Sequence, residues 1–193
     1  MNKEIEIKIC LDNKEEVQEK LQYLGWSVKD SVFHKTYLVT TPNEGLFKKG
    51  IYPRVRIEGD KTRFTIKVKP VEQKGVDDRE MKFFQREEHE IWVEDAEELV
   101  KMLAILGLTE VLIDEKYRQT WESKEWANLS IVIDTLPFGC YMEIEGQKEE
   151  IDQMIKKLGL EDKERITIAY RRVYQDYCKK MGIEEEKNLV FKK

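Results

Sequence analysis

Apolar and charged residues alternate strictly at the start of the chain. Ile5, Ile7, Ile9 and Leu11 share one face of a period-2 segment, and Glu4, Glu6, Lys8 and Cys10 share the other, which predicts a strand with two unlike faces. The period then lengthens. Asp12 and Glu15 form a capping box, Val17, Leu21 and Leu24 make an apolar stripe, and Gly25 ends the helix. A strand is predicted over Val32–Val39, followed by a turn at Thr41–Gly45, and Tyr52–Ile57 and Thr62–Lys69 flank Gly59-Asp60 as a hairpin. Residues 70–82, rich in charge and holding Pro70 and Gly75, read as a mobile loop. Next come a strand at Gln85–Val93 and a helix capped by Asp95 and Glu98, with Leu99, Met102, Leu103 and Leu106 inward and Gly107 as its stop. Strands at Val111–Trp121, Leu129–Asp134 and Tyr141–Glu145 follow, the last two joined by a turn through Leu136–Gly139. A helix with Ile151, Met154, Ile155 and Leu158 ends at Gly159. The last helix is predicted over Ile166–Met181, with Tyr170, Val173, Tyr174, Tyr177 and Met181 toward the core. One domain over residues 1–183 is expected, with 184–193 as a weakly ordered tail.

The unit of a Glu-x-Glu strand, a helix and a terminal Leu-Gly occurs at Glu4/Glu6 to Gly25, at Glu88/Glu90 to Gly107, and at Glu143/Glu145 to Gly159. This is an internal near-repeat of a β-then-α motif, too irregular for a solenoid.

Charged residues make up 38% of the chain against roughly 25% in an average soluble domain, so the surplus needs a location. The three Glu-x-Glu pairs are matched by basic pairs at the same spacing, Arg54/Arg56, Lys67/Lys69 and Lys116/Arg118, and Arg86 shares the face of Glu88 and Glu90. A sheet with a solvated, salt-bridged face accounts for any one pair. The same arrangement on six strands favours apolar faces packed outward against helices and charged faces meeting across a barrel lumen. Because buried charge is costly unless paired or ligated, such a lumen is expected to hold water or a ligand. Clustered Lys and Arg suit a polyanion such as a triphosphate, Arg through bidentate contacts and Lys as a point charge. Carboxylates in the same space would repel that ligand unless a hard divalent cation, Mg²⁺ or Mn²⁺, stood between them. No Gly-rich phosphate loop is present, so phosphate contacts must come from strand side chains.

The formal net charge of −5 argues against a nucleic-acid partner. Charges begin at Lys3 and Glu4 and no apolar run reaches the length of a bilayer span, so neither a signal peptide nor a membrane segment is expected and the location is taken as cytoplasmic. Cys10, Cys140 and Cys178 are too scattered for a disulfide framework or a zinc site. His34 and His89 have no Ser or Cys partner at suggestive spacing and read as ordinary strand residues.

With these residues in place, the chain resembles the CYTH-domain proteins of the triphosphate tunnel metalloenzyme superfamily, which includes class IV adenylyl cyclases, thiamine triphosphatases and tripolyphosphatases. Glu4-Ile5-Glu6-Ile7-Lys8 fits the Glu-x-Glu-x-Lys hallmark. The likeness continues in order through Tyr37, Arg54-x-Arg56, Thr65-x-Lys67, Arg86-x-Glu88-x-Glu90, Lys116-x-Arg118, Asp134, Gly139 and Glu143-x-Glu145, covering roughly residues 3 to 178. The resemblance implies an α+β fold: an eight-stranded antiparallel closed β-barrel, the triphosphate tunnel, with a charged lumen and helices packed outside. It implies metal ligands at Glu4, Glu6 and Glu143 or Glu145, with Asp134 and Glu90 nearby. It assigns Lys8, Arg54, Arg56, Lys67 and Arg118 to the phosphates, with Lys69, Arg86 and Lys116 as further candidates, and makes Glu4, Glu6 and Lys8 the candidate catalytic residues. Three activities follow: metal-dependent hydrolysis of a small-molecule triphosphate, class IV cyclisation of ATP to cyclic AMP and pyrophosphate, and non-catalytic polyphosphate or nucleotide sensing. The expected assembly is a monomer or homodimer.

Overall fold

Eight of the alternating segments pair into a ring in which every neighbour is antiparallel. The computed structural model describes residues 2–73 and 75–192. The strands are β1 (Asn2–Cys10), β2 (Ser27–Thr40), β3 (Ile51–Glu58), β4 (Lys61–Val68), β5 (Phe84–Val93), β6 (Glu110–Glu122), β7 (Ser130–Leu136) and β8 (Gly139–Glu145), closed in the order β1-β5-β4-β3-β2-β6-β7-β8. Five helices lie outside: α1 (Lys14–Tyr23), α2 (Gly45–Lys48), α3 (Ala96–Ile105), α4 (Lys148–Leu158) and α5 (Tyr170–Met181). Among the described residues no helix is long and apolar enough to cross a membrane.

Strand alternation gives the barrel two buried layers. Outside β1 and its neighbours, Ile7, Ile9, Ile131, Ile133, Met142 and Ile144 meet Val17 and Leu21 of α1 and Ile151, Met154, Ile155 and Leu158 of α4. A smaller cluster seats Ala96 and Leu103 of α3 on Val39 and Val55. Inside, Glu6, Lys8, Arg86, Lys116, Asp134 and Glu143 are buried as well. The charge surplus is therefore partly internal.

Local chemistry explains several boundaries. Asn13, rather than Asp12, caps α1 by accepting from the Glu16 amide at 3.3 Å, and Asp12 accepts from Lys163 at 2.6 Å instead. Asp95 caps α3 as expected, 2.9 Å from the Glu98 amide. Gly159 ends α4 at φ +66°, a left-handed geometry that a side chain would strain.

The last helix starts at Tyr170, four residues later than the periodicity suggests. Ile166 is held in a two-way backbone bridge to Lys8 (2.8 and 3.0 Å), on the edge of β1 that β5 leaves at Glu6. Met181 is exposed, contrary to its expected inward position, and Cys178 is the buried residue of that turn. Two described residues of the 70–82 segment are held by hydrogen bonds to the rest of the chain. Gln73 donates to Gln85 at 3.0 Å, and Thr167 donates to the Asp78 carbonyl at 2.6 Å. Part of the tail returns to the barrel too: Leu189 is buried and exchanges backbone hydrogen bonds with Ile113 and Glu115 at 2.8 Å, where β7 leaves β6 uncovered.

Leu158 has no exposed surface and packs under both α1 and the barrel. Leu158→Ala should lower unfolding free energy by about 3 kcal/mol, whereas Ile105→Ala on the exposed face of α3 should change it by less than about 0.5 kcal/mol. Urea denaturation of both variants checks the contrast.

Candidate active site

Register brings the charged residues together. On β1, Glu4 stands opposite Arg86 of β5, Glu6 opposite Glu145 of β8, and Lys8 opposite Glu143. Lys67 faces Glu88 across β4 and β5, and Arg118 faces Asp134 across β6 and β7. A cavity of about 1520 Å³ runs from Glu4, Glu145 and Arg118 inside the barrel to Asp60, Lys61 and Trp92 at one rim.

The inner end is filled by ion pairs. Asp134, fully buried, accepts from Lys116 (2.7 Å), from Arg118 Nε (2.7 Å) and from the Tyr170 hydroxyl (3.2 Å). Arg118 also binds Glu143. Lys8 pairs with Glu6, stands 4.0 Å from Glu143, and lies over the rings of Phe84 and Tyr170. Burial alone would raise the Asp134 and Glu143 carboxyls, but Arg118 and Lys116 hold both below the ordinary carboxylate range. Arg86 and Lys69 meet Asp78 of the tethered loop at 2.5 and 3.0 Å.

Toward the open rim compensation is incomplete. Carboxylate oxygens of Glu4, Glu6 and Glu145 lie within 4.8 Å of one another. Glu4 is bonded to Lys67 at 2.7 Å, and Lys67 is shared with Glu88. Glu145 has no ion pair among the described residues. Burial, with Glu4 and Glu6 beside it, pushes its carboxyl up to about 7. Across the lumen the imbalance has the opposite sign. Arg54 comes no closer than 3.8 Å to Glu88 and 3.9 Å to Glu90, and its buried Nε has no partner. Arg56 donates to Thr36 Oγ1 at 3.1 Å and lies 3.9 Å from Glu58. Burial, together with the positive charge of Arg54 and Arg118, brings the Arg56 guanidinium down to about 9.

The structure thus gathers Glu4, Glu6 and Glu145 at one point and sets Arg54 and Arg56 across from them. It places Lys8, Lys116, Arg118, Asp134 and Glu143 deeper in the barrel, and Lys69 and Arg86 with Asp78. Glu90 sits apart from the acid cluster, accepting from Thr65 at 2.9 Å and Arg63 at 3.1 Å. Three lumen residues escaped the sequence reading. Glu58 continues the alternation of Arg56 by one step and Arg63 that of Thr65 and Lys67 by one more, a signal present in the sequence. Helical periodicity places Tyr170 toward the core. It reaches the lumen because α5 begins where the chain crosses the barrel end, which no periodicity records.

The sequence profile of the CYTH domain matches residues 2–170. No curated protein matches the chain. Among solved structures it is similar to the PH1012 protein of Pyrococcus horikoshii OT3, at TM-score 0.68 and 21% identity over 86% of this chain and 96% of that one. It is also similar to a candidate adenylate cyclase of Vibrio parahaemolyticus, at TM-score 0.71 and 14% identity over 89% and 97%. HpAC1 of Hippeastrum, an adenylyl cyclase candidate described as having a dominant triphosphatase activity, aligns at TM-score 0.57 and 12% identity over 96% and 98%. At these identities the likeness establishes the fold.

Removing Asp134 strands the buried Lys116 ammonium and weakens the hold on Arg118. Asp134→Ala should destabilise the protein by about 3–5 kcal/mol, read by urea denaturation. Glu145 gives a pH signature. With divalent cations chelated, the folded protein keeps the Glu145 proton up to about pH 7, while the unfolded chain releases it near the ordinary value of 4.5. Folding therefore takes up a proton between those values, and this group's contribution to stability falls as pH rises through the window. Glu145→Gln, which mimics the protonated acid, should leave stability nearly unchanged at pH 5 and raise it at pH 8 by on the order of 1 kcal/mol. Thermal denaturation at the two pH values decides: equal shifts at both would contradict the assignment.

Proposed function

The chain belongs to the CYTH domain family, and we propose that it is an enzyme that binds a small-molecule triphosphate in the barrel lumen and hydrolyses it with the help of Mg²⁺ or Mn²⁺. One observation carries this reading. A single lumen holds an acid cluster short of cations, Glu4, Glu6 and Glu145, facing guanidiniums short of anions, Arg54 and Arg56. A divalent cation together with a polyphosphate anion satisfies both deficits at once.

The donor set fits such a cation. It is made of carboxylate oxygens only, converging from two rigid strands, which suits a hard ion. When bound there, the ion would screen the acids and draw negative charge from the phosphoryl group. The remaining work falls to the side chains of the chain. Arg54 and Arg56 grip phosphoryl oxygens through planar, bidentate guanidinium contacts. Lys67, between Glu4 and Glu88, is placed to pass from carboxylate to phosphate. Arg118 is clamped by Asp134 and Glu143, so it presents a fixed positive edge at the back of the cavity. Lys8 acts through Glu6, fixing the carboxylate that it pairs with. Glu88 stays ionised despite burial because Lys67 and Arg54 oppose the desolvation, which leaves a carboxylate able to orient an attacking water. Asp134, Glu143 and Glu90 also carry oxygen ligands, but their partners commit them to holding the cations in place.

Incubation with inorganic tripolyphosphate, thiamine triphosphate and ATP, each with Mg²⁺ or Mn²⁺, tests the reading when orthophosphate, pyrophosphate and cyclic AMP are resolved. Orthophosphate release is expected with at least one of the three, abolished by chelation and reduced about 100-fold or more by Glu6→Gln or Arg54→Ala. Unchanged turnover in both variants would remove those residues from the site. Cyclic AMP with pyrophosphate would replace hydrolysis by cyclisation, and tight triphosphate binding without turnover would make the chain a sensor.

A further inference from the structure

Beside the unpartnered Arg54 Nε, the cationic wall of the lumen holds a neutral side chain with a buried nitrogen that its neighbours leave unsatisfied. His34 lies on β2 two residues before Thr36, whose hydroxyl receives the Arg56 hydrogen bond inside the barrel. Its register partners are Glu58 on β3 and Lys116 on β6. The side chain lines the cavity yet is only 6% exposed, and its Nδ1 has no hydrogen-bond partner. An unpartnered buried polar atom is costly and uncommon in folded proteins, and a ligand is one of the things that relieves it.

We propose that His34 is a further substrate-contacting residue, donating its Nδ1–H to an oxygen of the bound triphosphate chain. This rests on the lumen being the triphosphate site. The neighbours explain why the atom waits for a ligand. The acceptors on this wall are already engaged: Glu58 by Arg63 at 2.7 Å, and Asp134 by Lys116 and Arg118. Two of the cations whose charge acts on the ring are engaged elsewhere, Arg56 through its Nε on Thr36 and Lys116 on Asp134. Burial and the charges of Arg56, Lys116 and Arg118 lower the imidazole to about 2, so the ring is neutral and has a single N–H. A polyphosphate offers acceptor oxygens only, which fixes Nδ1 as the donor when that ligand is bound. His34 would thereby add a neutral, directional contact to a wall otherwise made of charges, reading the position of an oxygen rather than the presence of negative charge.

Only two histidines occur in the chain, so ring ¹⁵N and Hε1 resonances can be assigned with His89→Gln. The experiment titrates inorganic tripolyphosphate into the chelator-treated protein, following binding by calorimetry and the His34 ring by NMR. His34→Asn, whose amide nitrogen can occupy the Nδ1 position, and His34→Phe, which cannot donate, are titrated in parallel. The expected result is saturable binding with a shift of the His34 ring nitrogens toward a hydrogen-bonded Nδ1–H. Affinity should fall about ten-fold in His34→Phe and recover in part in His34→Asn. Binding that leaves the wild-type His34 resonances unmoved overturns the proposal while the triphosphate reading stands, whatever the folding of the variants. Absence of wild-type binding to tripolyphosphate, thiamine triphosphate and ATP, each titrated with and without Mg²⁺, overturns both.

Discussion

Lining a barrel with Lys, Arg and Glu takes charge out of bulk water, and desolvation of that kind is costly unless each charge meets a partner at close range. Here the partners come from the register of the ladder. Lys67 meets Glu88, and Arg118 meets Asp134, because the strands place them opposite one another. The apolar layer depends on the same condition. Ile7, Ile9 and Ile144 can cover the outside of β1 and β8 only while Glu6, Lys8 and Glu143 are acceptable inside. A slip of one residue would turn the charges into the helix layer and the isoleucines into the lumen, so the electrostatic and hydrophobic patterns enforce a single pairing.

Compensation is graded along the axis. At the inner end every acid is shared among several donors, and the Tyr170 hydroxyl adds another contact to Asp134. Toward the open rim, Glu145 is held beside two other carboxylates and Arg54 keeps a buried nitrogen without a partner. Such residues weaken the fold when the lumen holds only water. In a scaffold that is otherwise largely paired, local conflicts of this kind are where a functional site is expected.

Much of this was visible in the alternation of residues. The paired faces of β1, β3, β6 and β8, the two helix layers and the inward direction of Glu4, Glu6, Arg54 and Arg56 all follow from a period of two beside a period of 3.6. The position of Glu145 against Glu6 follows from neither. It depends on closure between the first strand and the last, a long-range pairing on which local periodicity is silent. The same limit explains Tyr170, which period 3.6 assigns to a helix face but which the crossing at Ile166 carries over the barrel end. Asp78 belongs here too, since its role depends on where a loop is pinned and not on its composition. The unpartnered Nδ1 of His34 is a further feature the sequence does not show, because a lone histidine carries no pattern.

The placement of β1 between β5 and β8 affects how the molecule is made. Of the eight strands β1 is synthesised first, and neither of its partners is the strand that follows it. One of its edges waits for residues 84–88 and the other for 141–145. Closure of the ring must therefore be late, and contacts of such high sequence separation are slow to form. Until then Ile5, Ile7 and Ile9 remain a sticky alternating segment with two open edges, and Glu4 and Glu6 are remote from Glu145. The step that completes the last hydrogen-bonded ladder is also the step that assembles the acid cluster, so a chain stalled short of β8 has neither a closed ring nor the three carboxylates side by side.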